Sequence, residues 1–159
     1  MSRLFHKEKA VPLPTKLLLG VALLLLVPFA VAQNNLGELL DAGAKRLSAE
    51  QFRQEVVLRT LVGNSPVGVR MEVMYASSGV LAGRSDTVGS SSVTGYVGLA
   101  SIDGVWNIDD SGRICTSMVI GKILLPFRCQ FWFKYKDDYF IAHSDSDRLA
   151  RAFRRTVKQ

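Results

Sequence analysis

Strict alternation of side-chain character marks the stretch that follows Pro126. The odd positions carry aromatic side chains and one cysteine, and the even positions are mostly polar or charged: Phe127, Cys129, Phe131, Phe133 and Tyr135 against Arg128, Gln130, Trp132, Lys134 and Lys136. Successive side chains of a β-strand point to opposite faces of the sheet. The pattern therefore predicts a strand with its odd positions in the core and its even positions toward water.

Similar alternation predicts further antiparallel strands between residues 67 and 144. The segment Asp109-Asp110-Ser111-Gly112 has the composition of a turn, because Asp bonds to nearby backbone and Gly accepts positive φ. Counted as a four-residue loop, this turn puts Trp106 opposite Cys115, beside the cysteine pair. Asp137-Asp138 is the next predicted turn, and the Gly- and Ser-rich stretch from Gly83 to Ser92 is a predicted loop.

Helical patterns precede and follow this β region. Ser48 and Gln51 have the spacing of a capping box, which predicts a helix that ends near Thr60. Leu149, Phe153 and Val157 recur at i, i+4 and i+8 among basic residues, which predicts an amphipathic helix. The predicted fold is α+β and mainly β, a small antiparallel β barrel or curved sheet with N-terminal and C-terminal helices. Its parts are a helical lead-in (33–66), the β core (67–144) and a basic helix (145–159).

The first 32 residues have the three parts of a secretory signal. Basic residues precede an apolar run from Leu17 to Phe29, and Ala30-Val31-Ala32 is a cleavage site of the A-x-A type. The run is shorter than the roughly 20 residues that a spanning helix needs. Cleavage after Ala32 is therefore predicted, with an uncleaved inner-membrane anchor as the alternative. Both place the remaining chain outside the cytoplasm, in the periplasm or secreted.

Two cysteines, Cys115 and Cys129, follow this segment. An even pair in an oxidising compartment predicts a disulfide. A zinc site is not predicted, because two cysteines without a cluster of histidines supply too few ligands. The chain has 159 residues and a formal net charge of +6 at pH 7, of which the signal carries part. The remaining positive charge is too mild to indicate nucleic-acid binding. No cofactor is predicted.

Several short motifs together resemble a family of small exported proteobacterial proteins, the domain-of-unknown-function 995 group. The resemblance covers roughly Leu39 to Phe140 and rests on these residues: Leu39-Leu40-Asp41-Ala42-Gly43, Leu47-Ser48-Ala49-Glu50-Gln51-Phe52, Tyr75, Gly79, Gly83, Gly104-Val105-Trp106-Asn107-Ile108-Asp109, Gly112-Arg113-Ile114-Cys115 and Cys129. It implies an exported, disulfide-bonded, mostly β domain and implies no activity. The basic stretch after Asp147 departs from the pattern as an addition.

Candidate catalytic residues are few. His143 is the histidine that remains after processing, and histidine is the usual general acid or base near neutral pH. Asp109-Asp110 and Asp137-Asp138 are paired carboxylates of the kind that glycosidases use, but both pairs stand where turns favour Asp. No catalytic residue is assigned on these grounds. A hydrolase that acts on an envelope polymer stays open as an alternative.

The even face of the Phe127–Tyr135 strand is the sharper hypothesis. With its neighbouring strand it predicts a ligand or partner surface in which aromatic side chains are rimmed by positive charge, made of Arg128, Trp132, Lys134, Lys136, Tyr139 and His143. The predicted function is a non-enzymatic periplasmic binding module for an anionic or carbohydrate ligand or an envelope protein. Alternatively, the C-terminal helix covers this face, or the protein is a structural or inhibitory partner. The basic helix itself predicts peripheral membrane contact.

Overall fold

The computed structural model describes residues 35–66, 68–86 and 99–159. The predicted signal peptide lies outside these residues, and so does most of the predicted loop from Gly83 to Ser92. No helix within the described ranges is long and apolar enough to cross a membrane.

The described chain forms two short helices and nine strands. The helices are α1 (Leu36–Asp41) and α2 (Ala49–Glu55). The strands are β1 (Lys45–Arg46), β2 (Thr60–Asn64), β3 (Arg70–Tyr75), β4 (Val80–Asp86), β5 (Leu99–Ile108), β6 (Ile114–Ile120), β7 (Ile123–Tyr135), β8 (Asp138–Ala142) and β9 (Phe153–Val157). The predicted capping box is present at the start of α2, where Ser48 and Gln51 bond to each other's backbone N–H groups.

Eight of the strands close into an antiparallel barrel, which confirms the mainly β prediction. Strands β2 to β7 pair in sequence order, β7 also pairs with β8, and β9 joins β8 to β2. The two-residue strand β1 lies against β7, where Lys45 and Arg46 are opposite Lys134 and Phe133. Every barrel strand thus has a hydrogen-bonded neighbour on each side.

Aromatic side chains fill the barrel. Phe52 of α2 is fully buried, with its ring centroid 5.4 Å from Tyr75, 5.4 Å from Trp106 and 5.0 Å from Trp132 in edge-to-face contacts. Such contacts add to the stability gained from burial alone. The helix therefore supplies the residue around which the interior packs, and the interior is a core rather than a ligand cavity.

Three glycines occupy inward-facing positions of β2, β4 and β5, where a neighbouring strand approaches closely. A Cβ on Gly83 would lie 2.0 Å from the carbonyl oxygen of Glu72, and one on Gly104 would lie 2.3 Å from that of Ser117. Gly63 meets the same obstacle at 2.4 Å from the oxygen of Arg154. Gly83 accordingly belongs to β4, not to the predicted loop, because a close approach of strands requires glycine as much as a turn does.

A second apolar cluster lies on the outer wall of the barrel. Leu36 and Leu39 of α1 are fully buried there against β7 and β8, where they contact a group that includes Phe133 and Phe140. The wall of β7 and β8 is therefore buried on both faces. Two consecutive residues on opposite faces of β7, Trp132 and Phe133, are accordingly both buried aromatic side chains.

The C-terminal helix predicted for 145–159 is absent from the structure, and strand β9 takes its place. Residues Phe153–Val157 pair with β2 on one side and β8 on the other. A helix would leave both neighbouring edges unpaired, so closure of the barrel overrides the weak helical period of Leu149, Phe153 and Val157. Leu149, which the predicted helix would have placed on its apolar stripe, is 86% exposed. The membrane contact predicted for this helix loses its structural basis.

Two further sequence predictions were wrong in detail. The helix that begins after Ser48 ends at Glu55, and Thr60–Asn64 is a strand within the predicted helical lead-in. The turn after β5 spans five residues, so Asn107, not Trp106, lies opposite Cys115. A slip of one residue moves a side chain to the other face of the sheet. Trp106 therefore packs inside the barrel, where its indole N–H donates to the carbonyl of Ala76.

Alkaline pH is expected to weaken the fold through Tyr75. Burial raises the pKa of Tyr75 to about 12, although Arg155 offsets part of this effect. The phenol of Tyr75 loses its proton near pH 10 in the unfolded chain and near pH 12 in the folded chain. The full stability of the fold is therefore present below pH 10, and part of it is lost as pH rises toward 12. The loss amounts to about 2–3 kcal/mol. Urea unfolding from pH 9 to 12 measures it, and Tyr75→Phe should show a shallower decline than the wild type. Parallel pH profiles would contradict the assignment.

Candidate functional site

The structure separates the residues of the predicted binding surface. Trp132 and Tyr139 are each only 3% exposed and belong to the barrel core. Lys134 is half-buried, whereas Arg128, Lys136 and His143 are exposed. The predicted faces of β7 were inverted in its C-terminal half, because its even positions point into the barrel. The predicted aromatic patch is therefore not a continuous surface.

The β7–β8 hairpin determines which residues lie beside Lys134. Its turn is Lys136-Asp137, with Tyr135 opposite Asp138 and Lys134 opposite Tyr139. Lys136 adopts a φ of 54°, in the left-handed region used by tight turns. The predicted turn at Asp137-Asp138 lies one residue too far along the chain. Lys134 and Tyr139 consequently share a face.

A carboxylate at the end of α2 joins these two residues. Glu55 Oε2 accepts hydrogen bonds from Lys134 Nζ at 2.5 Å and from the Tyr139 hydroxyl at 3.3 Å. The bond to Glu55 raises the pKa of Lys134, with burial acting in the opposite direction. Burial is the main cause that raises the pKa of Tyr139. Lys134 is thus held as a cation and Tyr139 as a neutral phenol.

Around this contact lies a shallow groove of about 250 Å³, here called the basic groove. Four basic side chains line it together with a glutamine, a carboxylate and an aromatic ring. The lining includes Lys45, Arg46, Lys134, Lys136, Gln51, Glu55 and Tyr135. Strand β1 supplies Lys45 and Arg46, the β7–β8 hairpin supplies Lys134 and Lys136, and α2 supplies Gln51 and Glu55.

Positive charge in the basic groove is only partly balanced. Lys45 stands directly opposite Lys134 in the β1–β7 pairing, and like charges in such pairs are destabilising. Glu55 binds Lys134, while Arg46 is paired with Asp145 at 2.6 Å. Within the described residues, Lys45 has no ion pair. Lys136 lies 5.1 Å from the ring centroid of Tyr135. Two ammonium groups are thus left to bind an anion.

Sequence reasoning identified two of the four basic residues in the basic groove. Lys134 and Lys136 were predicted as part of a binding surface, whereas Lys45, Arg46 and Glu55 were not. The sequence around these residues gives no signal for a site. A two-residue strand is too short to show an alternation of polar and apolar side chains, and a glutamate at the end of a predicted helix is expected to be exposed. Two long-range contacts bring them together, the pairing of β1 with β7 and the contact of Glu55 in α2 with Lys134.

The candidate catalytic residues have structural roles or exposed positions. Asp109 accepts bonds from the backbone of Ser111 and Arg113 and pairs with the Arg113 guanidinium at 2.7 Å. These bonds, led by the Arg113 backbone N–H, lower the pKa of Asp109. Asp138 pairs with Arg154 at 2.6 Å. His143 is exposed, with Asp147 3.9 Å away. The carboxylates of Asp109 and Asp138 are therefore held by arginine side chains, while the carboxylate beside His143 is that of Asp147.

The cysteine pair forms the predicted disulfide. Cys115 and Cys129 lie directly opposite each other on β6 and β7. Asp109 has a carboxylate oxygen close to both sulfur atoms, within 4.8 Å. Metal binding needs thiolates, and these sulfur atoms are bonded to each other. The cluster is therefore a structural element and not a metal centre.

Membership of the domain-of-unknown-function 995 group stays a prediction. Comparison with protein-family models, with curated proteins and with solved structures finds no match to this chain.

Proposed function

We propose that this protein is an exported, non-enzymatic binding module whose ligand is an anion held in the basic groove. The ligand class is an acidic saccharide or a phosphate, since carboxylate and phosphate oxygens both accept charge-assisted hydrogen bonds from ammonium groups. The observation that carries the proposal is the direct opposition of Lys45 and Lys134 beside a single carboxylate, Glu55.

The opposed lysines favour a ligand because they reduce stability when the groove is empty. A sequence under selection for stability alone has no reason to place Lys45 across from Lys134. An oxyanion bound by Lys45 and Lys136 would neutralise the charge of Lys45 and thereby reduce its repulsion with Lys134. Gln51 adds an amide to the lining, and amide groups donate to sugar or phosphate oxygens. Tyr135 contributes an aromatic ring to the same groove.

Two features support a module that acts outside the cytoplasm and by binding. The Cys115–Cys129 disulfide is of a type that persists in oxidising compartments. The barrel interior is filled by side chains such as Phe52 and Trp132, so a ligand has to bind on the outer surface. Export itself rests on the signal-like sequence before Gln33.

Removal of the unpaired lysines should abolish most of the anion affinity. We expect Lys45→Gln with Lys136→Gln to weaken binding of trigalacturonate or pyrophosphate about tenfold or more, since each charge-assisted bond is worth about 1.5–3 kcal/mol. Isothermal titration calorimetry at low salt measures the change. Lys45→Gln alone should leave thermal stability unchanged or slightly higher, because it removes the repulsion with Lys134.

The matched control is Lys122→Gln with Arg128→Gln, which also removes two positive charges, from exposed positions outside the basic groove. Maltotriose, a neutral sugar, serves as the control ligand and should not bind. Equal loss of affinity in the control variant and the groove variant would mean that net charge attracts the anion without a site. Absence of heat with both anions would refute the proposal.

A further inference from the structure

The β6–β7 hairpin carries a group of large apolar side chains on its surface. Ile123 is 67% exposed, Leu124 is 70% exposed and Phe127 is 64% exposed. These three residues, here called the apolar tip, lie within one five-residue stretch that follows the Gly121-Lys122 turn. Exposed apolar side chains that occur singly are normal, whereas a contiguous group marks a surface for binding.

The apolar tip is exposed on both faces of the hairpin. Ile123 and Leu124 are consecutive residues of one strand, so their side chains point to opposite sides. A folded protein partner that packs on one face would leave the other side chain in water. A lipid bilayer surrounds an inserted tip from all sides. Exposure of both faces therefore favours lipid over a protein surface.

An irregularity in β7 turns a third apolar side chain outward. The pairing with β6 shifts between Thr116 and Met118, which places Pro126 and Phe127 opposite the single residue Ser117. Bulges of this kind re-aim a side chain without ending the strand. Phe127 consequently extends the exposed apolar stretch along β7 toward Arg128.

Basic residues border the apolar tip on both sides in the sequence. Lys122 precedes Ile123 and Arg128 follows Phe127, and both are exposed. Neither forms an ion pair with another part of the described chain. Cations next to a short apolar segment complement the anionic headgroups of a membrane surface, each contributing attraction within about one Debye length.

We propose that the apolar tip inserts into the headgroup region of an anionic lipid bilayer, with Lys122 and Arg128 at the phosphate level. Neither these basic residues nor the tip lies in the basic groove, so the inference goes beyond the proposed function. It also differs from the membrane contact that was predicted for a C-terminal helix, because the structure has strand β9 in place of that helix.

Vesicle flotation with residues Gln33–Gln159 tests the proposal. This part of the chain contains the whole closed barrel and both apolar clusters, and it lacks the apolar run from Leu17 to Phe29, which would bind lipid by itself. The vesicles are phosphatidylcholine with phosphatidylglycerol, or phosphatidylcholine alone. We expect binding to the mixed vesicles that Leu124→Ser with Phe127→Ser weakens about tenfold or more.

Two controls separate the apolar and the charged contributions. Leu149→Ser removes an apolar side chain that is 86% exposed outside the tip and should leave binding unchanged. Lys122→Gln with Arg128→Gln should weaken binding to the mixed vesicles more than to phosphatidylcholine. Circular dichroism checks that every variant keeps the β fold.

Three results would overturn the proposal. The first is absence of wild-type binding to both kinds of vesicle, and the second is equal binding by the tip variant and Leu149→Ser. The third is self-association in sedimentation that Leu124→Ser abolishes without any vesicle binding, which would assign the tip to a second copy of the chain. Anion binding at Lys45 and Lys136 is measured without lipid, so either proposal can fail alone.

Discussion

Truncation of Trp132 to alanine is expected to lower the free energy of unfolding by about 3–5 kcal/mol, as for other large aromatic side chains in cores. The indole is 3% exposed and contacts Phe52 and Tyr75 with ring centroids 5.0 and 5.7 Å away. Its removal leaves a cavity at the centre of the barrel that α2 cannot fill. A loss of this size is a large share of the roughly 5–15 kcal/mol that stabilises a domain.

The matched control is Phe127→Ala in the same strand. Phe127 is 64% exposed, so its truncation should change stability by no more than about 0.5 kcal/mol. Urea unfolding followed by intrinsic fluorescence measures both variants. A larger loss for Phe127→Ala than for Trp132→Ala would restore the opposite orientation of β7, with Trp132 on the surface.

Removal of the disulfide is the second large effect that we expect. Cys115 and Cys129 close a loop of about 15 residues between β6 and β7, and in the chain-entropy model such a loop is worth about 3 kcal/mol. Cys115→Ala with Cys129→Ala should therefore lower the free energy of unfolding by about this amount, and the double variant should unfold at a lower urea concentration. Cys115 is buried, so loss of its packing adds to the effect.

Reductant provides the control for this measurement. Wild-type protein with reductant should approach the stability of the double variant, and the double variant should not respond to reductant. Equal stability of the oxidised protein and the double variant would contradict the prediction. It would mean that β6 and β7 stay paired in the unfolded chain, so that the disulfide adds no further restriction. Full loss of the β fold on reduction would mean that the barrel depends on this bond.

Features governed by a few neighbouring residues were predictable from the sequence. The capping box at Ser48 and the turn that begins at Asp109 each depend on residues only three positions apart in the sequence. The disulfide followed from the predicted export to an oxidising compartment and the even count of cysteines. A mainly β barrel followed from the number of short alternating segments. All of these are local or compositional signals.

Features governed by closure of the barrel were not predictable in the same way. Alternation in β7 defines two faces but not which one points inward, and α1 makes the outer face apolar too. The helical period that includes Phe153 and Val157 is overridden because, as strand β9, this segment forms backbone hydrogen bonds with both β2 and β8. The basic groove combines Lys45, Glu55 and Lys134, which only the β1–β7 pairing and α2 unite.

The position of β9 in the ring has a consequence for biosynthesis. Strand β9 joins β8 to β2 and follows every other strand in the chain. Until it emerges from the ribosome, β2 and β8 keep unpaired edges that can recruit other chains. Barrel closure is therefore a late event that pairs β2, the first strand of the barrel, with β9, and such non-local pairing folds slowly. A chain released into an oxidising compartment can form Cys115–Cys129 before that step, which would hold β6 and β7 together while the ring is still open.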